Sequence, residues 1–196
     1  VLIAALTGNG KANNGFNANG RLVIDFGSDD VASGIQVDPV SGDLYVAATT
    51  GTGISRNFAV ARVNQSGVMS TIFDTDGKAV YNLFGDDVAA DLLVQPAGKV
   101  VVAGSSFVTT DIFLSLLRVG PTGAFDTTFS GDGVASTGIG AGGSNLIATS
   151  VARNSNGKII VAGYTNFAAS GSDSNDMVVL DFNADGSEDF TTPPQA

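Results

Sequence analysis

Apolar and polar residues form repeated blocks along this chain, and one block recurs three times. Its clearest copy spans residues 86–106, and related copies begin at Asp29 and Ser144. In each copy, two apolar runs rich in β-branched residues flank a polar turn that contains Gly. This pattern is typical of two antiparallel strands joined by a tight turn. The chain is therefore predicted to contain three similar β-hairpins.

Further apolar runs complete a longer repeat. A third run follows each hairpin, at residues 58–64, 113–119 and 177–183. A Gly turn, a Phe and a second Gly turn then lead to a fourth short run, at residues 78–84 and 134–137. The same features occur one period earlier, in residues 1–27. The repeat is therefore about 57 residues long and contains four strands, lettered a to d.

We divide the chain accordingly into one repeat domain, residues 1–196. A half repeat at 1–27 supplies strands c and d, complete repeats occupy 28–84 and 85–137, and a partial repeat at 138–192 supplies strands a to c. Because the sequence starts at Val1 without Met or an apolar leader, we expect it to be a processed or excised piece.

A repeated unit of four antiparallel strands predicts an all-β fold of the β-propeller type, with about three blades in this chain. One sheet alone leaves an apolar face bare, and stacking the next sheet on it covers that face. An open β-solenoid is less favoured, because its rungs repeat over fewer residues. Propellers close with roughly four to eight blades. We therefore expect either part of a larger propeller or two chains that complete one ring as a homo-oligomer.

The sequence also resembles a known repeat family. The resemblance is carried by the residues Asp86-Asp87, Ala89, Gln95-Pro96, Gly98-Lys99, Val102-Ala103-Gly104, Thr122-Gly123, Asp126, Phe129 and Asp132-Gly133. Together they are similar to the delta-60 repeats of bacterial secreted and surface proteins. The third copy departs from the pattern, with Asn145 for the second Asp and Thr192 where Phe129 aligns. The resemblance implies a β-propeller in an extracellular or cell-surface bacterial setting, and it implies no activity.

Composition excludes several classes of function. The net charge of −10, from 19 acidic and nine basic residues, disfavours nucleic acid as a partner. No apolar run is long enough for a membrane helix, so we expect no membrane insertion. The chain has no His, Cys or Trp, and Glu188 is its single Glu. The commonest general base and a Glu-based glycosidase pair are therefore missing, and we predict that the protein is not an enzyme.

One turn is a candidate cation site. Its oxygen-bearing residues alternate around Gly186 in the order Asp181, Asn183, Asp185, Ser187 and Asp189. Short loops bind Ca²⁺ with this kind of spacing. The alternative is an ordinary turn between strands, in which Asn and Asp cap the backbone. In the other copies Arg62 and Arg118 replace Asp181, so calcium is a candidate cofactor for this copy alone.

Two other motifs have a structural alternative. Asp29-Asp30 and Asp86-Asp87 precede strand a. One hypothesis is that such paired carboxylates bind a cation or act as an acid and base couple. Because the pairs recur with the repeat, we favour turn capping. Gly138, Gly140 and Gly143 match the dinucleotide fingerprint, but a predicted strand follows them where the fingerprint needs a helix.

Aromatic residues and loops complete the list of candidates. Phe16, Phe73 and Phe129 recur at one repeat position, which predicts wedges packed between sheets. Phe107 and Phe167 follow strand b and are candidates for contact with a partner. The loops between strands b and c differ most in length, and we expect partner residues in the ranges 50–57, 106–111 and 166–176.

Three functional hypotheses follow from these patterns. The first is a non-catalytic extracellular β-propeller scaffold for interaction with a protein or surface ligand, or for adhesion. The second is a structural subunit that assembles with itself into a ring or fibre. The third is a calcium-dependent propeller enzyme that uses Asp side chains on carbohydrate.

Overall fold

The structure is a computed structural model, and it describes residues 1–138, 145–166 and 175–189. Within these ranges the regular elements are strands and one 3-10 turn, Pro96–Gly98. The strands are β1 (Leu2–Ala4), β2 (Arg21–Val23), β3 (Asp30–Val37), β4 (Leu44–Thr50), β5 (Asn57–Val63), β6 (Lys78–Tyr81), β7 (Asp86–Gln95), β8 (Lys99–Val108), β9 (Asp111–Val119), β10 (Val134–Thr137), β11 (Leu146–Arg153), β12 (Ile159–Asn166) and β13 (Asn175–Phe182). No helix in these ranges has the length and apolar character needed to span a bilayer.

The strands form four antiparallel sheets, named I to IV in chain order. Sheet I contains β1 and β2, sheet II β3 to β6, sheet III β7 to β10, and sheet IV β11 to β13. Strands adjacent in sequence are adjacent in each sheet, so the chain forms successive meanders. The predicted fold class, an all-β repeat of four-stranded antiparallel units of the propeller type, is confirmed.

Each first strand of sheets II to IV carries a β-bulge at the same repeat position. The register shifts lie between Ala32 and Gly34, between Ala89 and Asp91, and between Ala148 and Ser150. A bulge bends a strand and increases its twist. Gly104 lies opposite the bulge of sheet III, and a Cβ there would overlap the carbonyl of Val88 and the ring of Phe58. Sheet III therefore needs a residue without a side chain at this place, whereas sheet II has Ala48 opposite its bulge.

Apolar side chains fill three interfaces between successive sheets. Along β8, Val100 and Val102 pack toward sheet II, while Val101 and Ala103 pack toward sheet IV. All four side chains are fully buried. Side chains of a strand alternate between the two faces, so this continuous apolar run is the pattern of a sheet covered on both sides. Sheets I and IV lie at the two ends of the stack.

A Phe wedge and a backbone hydrogen bond join each sheet to the next. Phe16, Phe73 and Phe129 are 0–3% exposed, and each ring lies against a Gly of the following sheet: Gly67, Gly123 and Gly186. The next residue in the chain donates its backbone N–H to a carbonyl oxygen in the same turn: Asn17 to Ser66 at 2.7 Å, Asp74 to Thr122 at 2.9 Å and Ser130 to Asp185 at 2.7 Å. The prediction that these Phe residues are wedges between sheets is confirmed.

Strand register corrects one detail of the sequence alignment. The bulges align Ala32, Ala89 and Ala148, which places Leu146 at the position of Asp30 and Asp87. Asn145 therefore corresponds to the first Asp of each pair, and the expectation that it replaces the second Asp is wrong. Leu146 is fully buried, so sheet IV has an apolar residue where sheets II and III have a carboxylate.

Candidate functional site

The acidic pairs cap the turns that lead into strand a. The carboxylate of Asp30 accepts a hydrogen bond from the backbone N–H of Phe26 at 2.9 Å, and that of Asp87 accepts one from Leu83 at 2.8 Å. In both cases the donor is four residues earlier, so the carboxylate closes the turn between strands d and a. Turn capping, the interpretation favoured for the acidic pairs, is confirmed for Asp30 and Asp87.

The first Asp of the second pair has a different role. Arg56, in the loop between β4 and β5, binds the Asp86 carboxylate through both Nε, at 2.8 Å, and Nη2. The backbone N–H of Arg56 also donates to Asp86 at 3.1 Å. The hydrogen bond from the Arg56 guanidinium holds the pKa of Asp86 below its usual value. This ion pair fixes a loop of sheet II onto the first strand of sheet III.

A groove lies beside this ion pair, between the first strands of sheets II and III. Most of its wall is apolar, and it is lined by Asp29, Val31, Ala32, Ser33, Thr49, Gly51, Arg56, Val88 and Ala89. Val31 is 67% exposed, while the Ser33 hydroxyl is buried without a hydrogen-bond partner in the part of the chain that the structure describes. An apolar concavity with a few polar groups is the usual form of a ligand site. This groove is the candidate functional site.

Phe107 lies close to the groove but is not freely exposed. It pairs with Asp86 across β7 and β8, and the Arg56 guanidinium lies 6.0 Å from the centre of its ring. A cation at this distance from an aromatic face is attracted to it. The candidate loops 50–57 and 106–111 therefore meet at the Arg56 ion pair. Phe167 and most of the loop 166–176 lie outside the described residues.

The predicted calcium turn closes through its own hydrogen bonds. The Asp185 carboxylate accepts from the backbone N–H of Ser187 at 3.0 Å and from its hydroxyl at 2.7 Å. These bonds lower the pKa of Asp185 below its usual value. Asn183 donates its side-chain amide to the Ser187 hydroxyl at 3.0 Å. Asx and Ser contacts of this kind are those of an ordinary turn between strands.

The remaining members of the predicted calcium set lie in β13 and at the end of the turn. Asp189 forms an ion pair with Lys158. Asp181 belongs to β13, where it lies opposite Ile160. Within the ranges 1–138, 145–166 and 175–189, no three acidic, His or Cys residues form a group that could hold a metal. Calcium at Asp181, Asn183, Asp185, Ser187 and Asp189 stays a prediction, as does the calcium-dependent enzyme.

In the equivalent turn of sheet III, two basic side chains of the protein bind the carboxylate of Asp126. Lys99 Nζ and Arg118 Nε each lie 2.7 Å from the Asp126 carboxylate. Burial opposes ionisation of Asp126, but the hydrogen bonds from Lys99 and Thr128 and the Arg118 charge hold its pKa well below the usual value. Arg118 also donates to the carbonyl oxygen of Ala184 in sheet IV. Asp126 therefore orients an Arg that links two sheets.

The glycine motif has only its first residue, Gly138, in the described chain, because residues 139–144 lie outside it. The segment after it is the strand β11, Leu146–Arg153, which agrees with the argument from sequence that no dinucleotide helix follows. The sequence did not identify Ser33 or the Arg56 and Asp86 pair. These two ionic residues are 30 positions apart and belong to different repeats, so no local spacing connects them.

The stacked meanders and their recurring wedges define the class of this protein, which is built from β-propeller repeats. Residues 95–129 and 155–189 both match the family model described as "Domain of unknown function (DUF5122) beta-propeller". The first segment contains β8, β9 and Phe129, and the second contains β12, β13 and the turn to Asp189. The resemblance noted from the sequence is confirmed as a likeness to β-propeller repeats. No curated protein matches the chain.

Proposed function

We propose that this chain is a non-catalytic β-propeller scaffold that binds a protein segment or another ligand in the groove between sheets II and III. The observation that supports the proposal is the groove itself, with its apolar wall, the exposed Val31 and the Arg56 ion pair at one side. An apolar surface rimmed by polar groups is typical of an interaction site. The extracellular or cell-surface setting is part of the proposal and comes from the repeat family that the sequence resembles.

The proposed partner is an apolar or aromatic segment with polar flanks. Val31, Val88 and Ala89 offer apolar contact, and Ser33, which also lines the groove, has a buried hydroxyl with no hydrogen-bond partner in the described residues. Arg56 is already paired with Asp86, so the groove does not present a free positive charge to an anionic ligand. Specificity therefore rests on shape and on the Ser33 hydroxyl.

The test is a selection of binders from a displayed peptide library, with a glycan array run in parallel. We expect peptides selected on the wild-type chain to lose affinity for Val31→Asp, because the substitution places a charge on the apolar wall. Val40→Asp is the matched control, since Val40 is 87% exposed and lies in the turn before β4, away from the groove. Equal binding to both variants contradicts the proposed site. Retention of a glycan and of no peptide favours a carbohydrate ligand instead.

A further inference from the structure

Four Asn-Gly pairs occur in this chain, and each is a candidate site of a spontaneous reaction between side chain and backbone. They are Asn9-Gly10, Asn14-Gly15, Asn19-Gly20 and Asn156-Gly157. In such a pair the backbone nitrogen of Gly attacks the side-chain amide carbon of Asn, because no Cβ hinders its approach. All four pairs lie in turns, so the hydrogen bonds of each turn decide which nitrogen is free to react.

Three of the four Gly nitrogens are held inside closed turns. In each, the Gly N–H donates to a backbone carbonyl oxygen: Gly10 to Thr7 at 2.9 Å, Gly20 to Phe16 at 2.7 Å and Gly157 to Asn154 at 3.1 Å. These three glycines also have a left-handed backbone, with φ of +78°, +75° and +87°. The nitrogen must break its bond to the carbonyl oxygen before it attacks, so folding protects these three pairs.

Gly15 differs from these three glycines. Its N–H donates to a side chain, the amide oxygen of Asn13 at 3.1 Å, and not to a backbone carbonyl oxygen of the described chain. Its φ lies outside the left-handed region. A side chain changes rotamer without opening the turn, so the Gly15 nitrogen becomes free more easily than the other three.

The exposure of Asn14 does not depend on what precedes sheet I. Its repeat equivalents, two residues before Phe73 and Phe129, are Thr71 and Thr127. Both are exposed, although sheets II and III each have a sheet stacked on either side. Water and hydroxide therefore reach this repeat position in an intact stack.

We propose that Asn14 is a site of spontaneous deamidation. The Gly15 nitrogen loses its proton to hydroxide and forms a bond to the Asn14 Cγ. The bond from Cγ to the side-chain nitrogen breaks, and this nitrogen takes a proton from water and leaves as ammonia. Water then opens the resulting five-membered imide at one of its two carbonyls. One opening gives Asp, and the other gives isoaspartate, in which the backbone passes through the side chain.

Isoaspartate at this position alters the joint between sheets I and II, which consists of the Phe16 wedge and the backbone bond beside it. It adds one backbone atom inside the turn that the Phe16 N–H closes on the Asn13 carbonyl oxygen at 2.9 Å. The next residue, Asn17, donates to Ser66 of sheet II, and the Phe16 ring lies against Gly67. The longer turn therefore shifts the wedge and weakens this joint alone.

The test is a time course of peptide mapping by mass spectrometry on the folded chain in warm, mildly alkaline buffer. Conversion replaces an amide NH₂ by an acid OH, and fragmentation distinguishes Asn14 from Asn19 within the tryptic peptide 12–21. The control is the same chain unfolded in urea, where all four pairs should convert at similar rates.

Folding should slow the three protected pairs about fivefold or more relative to the unfolded control, because each must break a backbone hydrogen bond. Asn14 should then be the fastest site of the folded chain. Equal rates at the four sites of the folded chain, or a faster rate at Asn9, Asn19 or Asn156, overturn the proposal.

Two variants test the neighbours of the reacting amide. Asn13→Ala removes the bond to the Gly15 N–H and should raise the rate at Asn14. Gly15→Ala should lower it severalfold, because a Cβ hinders the attack; the nearest atom to that Cβ is the Asn13 side-chain oxygen, at 3.2 Å. Asn156 is the internal control, and its rate should stay the same in both variants. An unchanged rate at Asn14 in either variant contradicts the proposed reaction.

Hydrogen exchange measures the effect on the joint. In aged protein with isoaspartate in place of Asn14, the N–H of Asn17 should exchange faster than in fresh protein. The equivalent donors, Asp74 and Ser130, should exchange as before. Methylation by an isoaspartyl methyltransferase quantifies the isoaspartate. If Asn17 exchanges at the same rate in aged and fresh protein, the inferred change at the joint is wrong.

Discussion

The contact between Phe129 and Gly186 predicts a specific coupling between two substitutions. Phe129 is fully buried, it lies under the Arg118 guanidinium at 4.6 Å from the ring centre, and its ring contacts the turn of sheet IV. Phe129→Ala should lower the unfolding free energy by about 3–5 kcal/mol, which is usual for a buried Phe. A Cβ at Gly186 would lie 2.8–2.9 Å from three atoms of that ring, at a φ of +87°.

Gly186→Ala therefore has two separable costs. A left-handed backbone conformation costs a residue with a Cβ about 1–2 kcal/mol, and overpacking against the ring adds about 1–3 kcal/mol. Gly10→Ala is the matched control, because Gly10 occupies the same turn position in sheet I at φ +78° with nothing within 4 Å of its Cβ. The control should show the backbone cost alone.

Urea unfolding of wild type, both single variants and the double variant measures the coupling. In the Phe129→Ala background the overpacking disappears, so Gly186→Ala should cost only about 1–2 kcal/mol, like Gly10→Ala. The double variant is then more stable than the sum of the single effects predicts. Additive effects, or equal costs for Gly186→Ala and Gly10→Ala, would refute the idea that the ring packs on this glycine.

Two further predictions concern the acidic turns. The pKa of Asp126 is lower in the folded chain than in the unfolded chain, so its contribution to stability is complete above the unfolded value near 3.9 and is lost as pH falls below it. As the pH is lowered from about 5 to about 2, the urea midpoint of wild type should therefore decrease, and that of Asp126→Asn should decrease less. Equal decreases in the two proteins contradict the ion pairing of Asp126. Asp185→Ala should lower the thermal midpoint slightly, because it removes the cap on the backbone N–H of Ser187. The decrease should be the same with and without calcium in thermal melts, and a calcium-dependent rise in Tm that only wild type shows would establish the metal site.

The fold was accessible from the sequence because its signals are local and repeated. Each apolar run lies beside a Gly or Asx turn, and the same order returns after about 57 residues, so strand order follows from the pattern alone. The Phe wedges were also predictable, because an aromatic residue that recurs at one position of every repeat is expected to pack between the repeated sheets. The sequence misaligns Asn145 because Asn resembles Asp in type, whereas the bulge in β11 sets the register that places Leu146 at the position of Asp30 and Asp87.

The candidate site was harder to predict because it depends on contacts between repeats. Arg56 meets Asp86 only after sheets II and III have stacked, and the groove beside them is the space that this stacking leaves between two first strands. The calcium motif shows the converse. The alternation of Asp, Asn and Ser around Gly186 suits a metal loop and a capped turn equally, so the sequence does not choose between them. The structure shows the hydrogen bonds of a capped turn between Asp185 and Ser187, and calcium there stays a prediction.

The joint formed by Phe16, Phe73 and Phe129 has a consequence for how such chains change in length. Every joint consists of a backbone donor, a Phe ring and a Gly at equivalent positions of the repeat, and each joint connects only two adjacent sheets. If one complete unit such as residues 28–84 is removed, the Phe of the preceding sheet meets the equivalent Gly turn of the following sheet. A cut inside a meander instead leaves a Phe or a Gly turn without its partner. Gain and loss of whole units is therefore the route by which this architecture can lengthen or shorten without redesign of its core.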